Sequence, residues 1–300
     1  MECRSEGIDM STAKTVDLVV AAREAGYAVP AVNIVDDLSL RAVVAAAEEA
    51  QSPVIIQTSV KTVKSIGAPL LSTLFSFAAE SVSVPVALHL DHCPDRAFIT
   101  VAVENGWSSV LFDASDRPLE QAWQETKEVV AEAHAKGVGV ECEIENIVGV
   151  EDGVGSDEPG HAYSNEQLVE VVTTTGADML APQLGTAHGL YKASPVLLYD
   201  RVAELGTLSP VPVVLHGGTG LTDDDFRRFI ANGVAKVNLS TTLKLAYMRA
   251  AQAHIAEAEV KGKWEPVKMF DDITAAVKAT VIDHMQQLGS AGAAKTAVSA

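Results

Sequence analysis

The sequence predicts an α/β fold of the (β/α)8 TIM barrel class, built as one domain over residues 1–300. Short β-branched runs alternate with longer alanine-rich helical patterns, and the strand candidates number eight, the tally a closed parallel barrel requires. The chain length of 300 residues is one at which such barrels close as a single unit. An open doubly wound sheet would alternate in the same way, but the glycine-rich turn that usually follows its early strand is missing.

Taken in order, Ser11 or Thr12 is placed to cap an amphipathic helix that runs through Ala25. The strands follow as Ala28–Ile34, Val54–Thr58, Val86–His89, Ser109–Phe112, Gly139–Ile144, Met179–Pro182, Val211–Leu215 and Lys236–Leu239. Between the fifth and sixth, Val148–Ala162 mixes glycine and proline with carboxylates, as GVEDGVGSDEPG, and reads as the mobile segment. A helical extension occupies about residues 263–289, and the small-residue tail after Ser290 is expected to fray.

Composition narrows the function. A hydrophobic content of 48% and a mean hydropathy of +0.17 supply a large core. The net charge of −18, from 40 acidic and 22 basic residues with no Lys/Arg cluster, argues against a nucleic-acid partner. No apolar run is long enough to span a bilayer, and the first residues lack a basic segment followed by an apolar one, so a cytoplasmic protein is expected. Cys3, Cys93 and Cys142 have no CxxC spacing, which points away from disulfides and cysteine zinc sites and fits reduced thiols. An anionic substrate would have to be met locally, by backbone amides and a few side chains.

In a parallel barrel the chemistry sits where apolar strands end in polar residues. VALHLDHC ends in His89, Asp91 and His92; His89 and Asp91 share a face, and a bend would bring His92 beside Asp91 as metal ligand and proton carrier. LAPQLGTAHGLYK sets His188 in a small-residue loop that lets amides approach an anion. VVLHGGTG places His216 ahead of a second glycine nest, and KVNLSTTLK ends in Asn238, Ser240 and Thr241 before a helix whose N-terminal amides suit phosphate. The plainer role for Ser240 or Thr241 is a helix cap. His92, His188 and His216 thus come from different strand ends, as a three-histidine zinc site with an open position requires. His134, His161, His254 and His284 read as solvated or structural, and His89 as a supporting group.

Together YAVPAVNI, SPVII, LHLDH, VECE, GVEDGV, GTAHGLYK, VLHGG and KVNLST, in this order, resemble the class II ketose-bisphosphate aldolases, the fructose- and tagatose-bisphosphate aldolase family, over roughly Ser11 to Ala294. The resemblance implies a lyase that splits a ketose phosphate reversibly into dihydroxyacetone phosphate and an aldehyde. It implies zinc on His92, His188 and His216, an alternative metal position at Asp113 and Glu143, and a sodium or potassium ion near the glycines after His188 and His216. Asp91 matches the acid/base at the C4 hydroxyl and Glu151 the proton-transfer glutamate. Asn33, Ser59, Gly189, Lys192, Gly217, Gly218, Thr219, Asn238, Ser240 and Thr241 match substrate and phosphate positions. With zinc as electron sink, no lysine Schiff base is needed. The family also implies a homodimer or homotetramer, to which an apolar helix around Ile273–Val281 could contribute.

The match departs in places. Val267 stands where bisphosphate-cleaving members carry an arginine, which removes a bidentate phosphate clamp unless Lys61 or Lys268 replaces it. Glu145 and Val148 replace glycines and Ala114 replaces the glycine of DGS, so a remodelled aldehyde pocket is expected. An alternative therefore joins dihydroxyacetone phosphate to an unphosphorylated aldehyde, such as aspartate semialdehyde in aminohydroxybenzoate biosynthesis. A non-catalytic metal-binding barrel and a zinc hydrolase are remoter alternatives.

Overall fold

The computed structural model describes residues 12–152, 154–156, 160–191 and 195–295. Its first half runs α1 (Thr15–Ala25), β1 (Val29–Asn33), α2 (Asp37–Ala50), β2 (Val54–Ser59), α3 (Val60–Ile66), α4 (Ala68–Glu80), β3 (Val86–Cys93), α5 (Arg96–Glu104), β4 (Ser109–Asp113), α6 (Leu119–His134) and β5 (Gly139–Glu143). The remainder runs β6 (Gly149–Glu151), β7 (Val154–Ser156), α7 (Asn165–Thr175), β8 (Met179–Leu180), α8 (Tyr199–Leu208), β9 (Val213–Leu215), α9 (Asp223–Ala231), β10 (Val234–Leu239), α10 (Thr241–Lys261) and α11 (Pro266–Gln287).

The strands close in the order β1-β2-β3-β4-β5-β8-β9-β10, all neighbours parallel, with β10 returning to β1. All eight sequence-predicted strands are present. β6 and β7 form a separate antiparallel hairpin inside the stretch expected to be mobile.

Strand residues alternate between two environments because successive side chains leave a strand on opposite faces. One set, including Val32, Ile56, Leu88, Val110, Val140 and Val237, belongs to the apolar layer under the helices. The other set faces the barrel axis. Near the strands' N-terminal ends it is apolar, with Val29, Ala31, Ile55, Ala87, Met179 and Val214 clustered with Leu18, Val19 and Ala22 of α1, which closes that end. Two residues further along the same faces the side chains turn polar, as in Ala31 to Asn33, Ile55 to Gln57, Ala87 to His89 and Val214 to His216. This gradient puts the polar side chains of the inward strand faces, among them Asn33, Gln57, His89 and His216, toward the C-terminal mouth.

Three expectations are corrected. Helix α1 begins at Thr15 with Lys14 at its N-cap and no side-chain cap; Ser11 lies outside the described residues, and Thr12 pairs with Val86 instead. Nor is the stretch after Ser290 frayed up to Lys295. Ser290 is buried with its Oγ 2.8 Å from Ser52 Oγ, and the Ala294 N–H donates to Gln51 O. The apolar run Ile273–Val281 also differs from the interface reading, since Ile273, Val277 and Val281 are buried in the chain's own core.

Candidate metal centre and active site

Strand β3 shows how the chain turns three polar residues into one mouth. Its register with β4 pairs Leu90 with Val110 and Cys93 with Phe112, so Asp91 and His92 oppose the single residue Leu111. Such an extra residue bends a strand and re-aims its side chain. His92 takes φ 41°, a left-handed conformation that costs a residue with a Cβ roughly 1–2 kcal/mol. The bend brings the His92 ring to 4.8 Å from both the His188 and His216 rings, centroid to centroid.

The loops bearing the other two histidines are held together by close backbone contact. Gly217 has φ 69°, and a Cβ there would lie 2.5 Å from Ala187 O, so only glycine lets the two loops meet. Tyr191 Oη donates to Gly217 O at 2.6 Å. On the other side the His188 N–H donates to Val148 O at 2.8 Å, joining this loop to the root of the β6-β7 hairpin.

The partners of the imidazoles leave specific atoms unused. His92 Nδ1 lies 3.2 Å from Asp113 Oδ2 and His216 Nε2 lies 2.8 Å from Glu141 Oε1, while His92 Nε2, both nitrogens of His188 and His216 Nδ1, whose 3.1 Å contact with Glu143 Oε2 is not aligned as a hydrogen bond, have no hydrogen-bond partner. Buried polar atoms are normally paired, so a converging set of orphans marks a place for something else. Donor atoms of His92, His188 and His216 lie within 4.8 Å of one another, as do those of His92, Asp113 and Glu143. Three imidazoles, two of them braced by carboxylates, fit a divalent cation such as zinc.

Electrostatics agree with that fit. Burial, reinforced by nearby His92, holds His188 and His216 well below the ordinary histidine range, which keeps their nitrogens neutral and able to ligate. Burial also opposes a charged His92, but Asp91, Glu143 and Asp113 outweigh it and raise His92 well above its usual value. Asp113 falls to about 2 despite its burial because His92 and Ser115 stabilise the carboxylate, whereas burial and Asp113 push Glu143 well up. Asp113 and Glu143 converge on His92 and His216, a carboxylate-rich setting that suits a bound cation.

Asp91, 1% exposed, is held from both sides. Asn33 Nδ2 donates to its Oδ2 at 2.7 Å and Asn238 Nδ2 donates to its Oδ1 at 3.0 Å. Each amide is oriented in turn: Gln57 Nε2 donates to Asn33 Oδ1 and Lys236 Nζ to Asn238 Oδ1, both at 2.7 Å. Lys236 also donates to Glu141 Oε2 at 2.8 Å, and the opposite oxygen of Glu141 faces His216. One buried lysine therefore orients both Asp91 and a metal-competent histidine. Sequence reasoning missed Gln57, Glu141 and Lys236, although each lies two residues before a singled-out position, Ser59, Glu143 or Asn238, and so shares its inward face.

The remaining expected residues are distributed around this mouth. Ser240, 3% exposed, makes no cap bond to α10, and its Oγ has no partner, which corrects the plain-cap reading. Thr219 Oγ1 lies 3.0 Å from Thr242 Oγ1, joining the glycine loop Gly217–Gly218 to the first turn of α10 beside Thr241. Gly189 has φ 84° and open space around it. Ser59 is occupied as the cap of α3, accepting from the Thr62 N–H. Lys192 and the side chain of Glu151 lie outside the described residues.

The departures from the family pattern take different places. Glu145 is fully buried and pairs with Arg201 at 2.8 Å. Val267 lies exposed on α11, Lys268 pairs with Glu265 at 3.2 Å, and Lys61 is exposed.

A closed parallel barrel with this histidine–carboxylate centre at its C-terminal mouth defines a barrel enzyme, and the family follows from comparison. A family model described as fructose-bisphosphate aldolase class-II matches residues 13–293, so the chain belongs to the class II fructose-bisphosphate aldolase family and is an aldehyde-lyase. A fructose-bisphosphate aldolase from Geobacillus stearothermophilus is 35% identical over 295 residues, 95% of this chain and 99% of that protein. A sulfofructosephosphate aldolase from Alkalicoccus urumqiensis is 36% identical over 223 residues, 74% of this chain and 78% of that protein. Among solved structures, the YdjI aldolase from Escherichia coli K12 superposes with a TM-score of 0.82 at 30% identity, covering 94% of this chain and 99% of that one. Membership of a lyase family does not favour the aspartate-semialdehyde, hydrolase or non-catalytic readings.

The Lys236 network yields a prediction. Lys236→Met strands Glu141 as an unpaired buried charge and should destabilise the protein by roughly 3–5 kcal/mol. Urea unfolding checks it, and a midpoint equal to that of the unaltered protein would refute the role given to Lys236.

Proposed function

We propose that this chain is a zinc-dependent aldolase cleaving a phosphorylated ketose reversibly into dihydroxyacetone phosphate and an aldehyde. The observation that carries the reading is the convergence of partnerless nitrogens of His92, His188 and His216 beside a carboxylate, Asp91, oriented by two amides. A zinc ion held by these histidines would supply the positive charge that draws electron density from the C2 carbonyl. Asp113 and Glu143, with His92, offer the alternative position for a divalent ion.

The rest of the chemistry belongs to side chains. Asp91 takes the proton of the C4 hydroxyl; Asn33 and Asn238 keep both its oxygens aimed, which limits the reorganisation needed at the moment of transfer. As the C4 oxygen becomes a carbonyl, the C3–C4 bond opens and its electron pair stays on the dihydroxyacetone phosphate half. Glu151 then supplies the proton that C3 requires. The donor phosphate is met by the start of α10, where Ser240 Oγ is buried and partnerless, by the Gly217–Thr219 loop, and by Gly189, Lys192 and Thr241.

The same reading includes self-association as a homodimer or homotetramer. Of the 21 residues of α10 only Leu243 and Ala258 are buried, and Met248 and Ile255 of this helix, Trp264 after it and Val267 at the start of α11 are exposed apolar side chains. A second copy would cover these side chains. Sedimentation should give a mass of two or four chains, and Trp264→Glu should shift it downward; a monomer at micromolar concentration would contradict the assignment.

The catalytic roles are tested together. Asp91→Ala should retain zinc yet lose turnover by on the order of 10²–10⁴-fold, as removal of a positioned proton carrier does. A strong chelator should inactivate the unaltered enzyme, with zinc restoring it. Cleavage within tenfold of normal in Asp91→Ala, or full activity without metal, would rule this mechanism out.

A further inference from the structure

Glu145 belongs neither to the metal centre nor to the substrate surface, yet it is completely buried, and a buried carboxylate is costly unless charge and hydrogen bonds compensate it. Here they do. Its Oε1 accepts from Arg201 Nη2 at 2.8 Å and from the Tyr163 N–H at 2.7 Å, and its Oε2 accepts from the Gln183 N–H at 2.9 Å. Arg201 continues outward: Nη1 donates to Gln183 O and Nη2 to Tyr163 O, both at 2.9 Å, and Nε donates to Asn165 Oδ1 at 3.0 Å. A forked guanidinium meets these acceptors at once, which a point charge could not.

The segments gathered are specific. Glu145 leads from β5 toward the β6-β7 hairpin, Tyr163 is the return from it ahead of α7, and Gln183 starts the loop that carries His188. Gln183 repeats the theme by accepting the Gly185 N–H on its own Oε1. At the far end of this loop the His188 N–H meets Val148 O, and Gly149 approaches so closely that a Cβ would lie 2.8 Å from His188 O. The His188 loop is therefore fixed to the hairpin root at both ends, at Gln183 through Glu145 and at His188 through Val148.

We propose that Glu145 and Arg201 are a positioning pair that sets how His188 is presented to the metal. The pair acts through the backbone at Gln183 and the hairpin root and touches neither metal nor substrate. His188 depends on such a brace more than its neighbours, because His92 and His216 each have a carboxylate on a ring nitrogen whereas His188 has no ring partner. This rests on the reading that His188 ligates zinc.

Zinc affinity, measured by competition against a chromophoric chelator, tests it separately from turnover. Glu145→Gln keeps the shape and removes the charge. The double variant Glu145→Met with Arg201→Met removes both charges and should stay folded, since exchanging a buried ion pair for apolar groups of similar volume is often close to neutral. Both should bind zinc about 10–100-fold more weakly, the usual cost of losing a supporting partner of a ligand. Reference variant His188→Asn should lose at least as much. Affinity within about twofold of normal in the folded double variant, with His188→Asn impaired, would overturn the role of the pair alone. Unchanged affinity in His188→Asn as well would overturn the zinc reading along with it.

Discussion

The mouth of this barrel depends on one buried ion pair, Glu141 with Lys236, both fully shielded from water inside a sheet closed on itself. Two charges there are tolerated only because each is fully engaged: Lys236 also holds Asn238, and Glu141 also holds His216. From that pair the arrangement spreads in two directions. Through Asn238 it reaches Asp91, which Asn33 steadies from the other side under the control of Gln57; through His216 it reaches the cluster with the orphaned nitrogens. Asp91 and His216 are thus branches of one hydrogen-bonded network on the pleated strands, where positions are held better than on loops. The loops add what the strands do not supply, glycine contacts that bring His188 against His216 and a helix start that suits phosphate.

Most of this was legible in the sequence where its signal was local. The strand pattern located all eight barrel strands, and polar residues at the strand ends marked His92, Asp91, His216 and Asn238. The proposed bend at His92 appears as an extra residue in β3. What escaped was the middle of the barrel. Glu141 and Lys236 lie inside strands, where a charged residue reads as an outward one until closure puts both on the axis, and their partnership spans 95 positions of sequence. Helix α1 escaped by a few residues for a related reason: its start is set by tertiary contact, with Thr15 Oγ1 at 2.8 Å from Ser108 Oγ, where the sequence offered Ser11 and Thr12 as caps. The Ser290–Lys295 stretch looked like a loose tail by composition, yet it is tied to Gln51 and Ser52.

The departures from the family pattern take on new meanings with the fold in view. Glu145, where a glycine is usual, bonds with its carboxylate to Arg201 and to the Gln183 N–H at the start of the His188 loop. Ala114 stays within the framework, with its N–H on Glu143 O at 2.9 Å. Val267 lies exposed on α11. Substitutions near a site in sequence therefore separate by where the strand pleat and loop direction send the side chain.

On the proposed function, the barrel's polar network prepares one metal position between three imidazoles beside Asp91. Anomalous diffraction at the zinc edge, on crystals of the zinc-loaded protein, tests it most directly. A strong peak bounded by His92, His188 and His216 is expected. A peak only at surface residues, or none at the mouth while zinc is bound in solution, would contradict it.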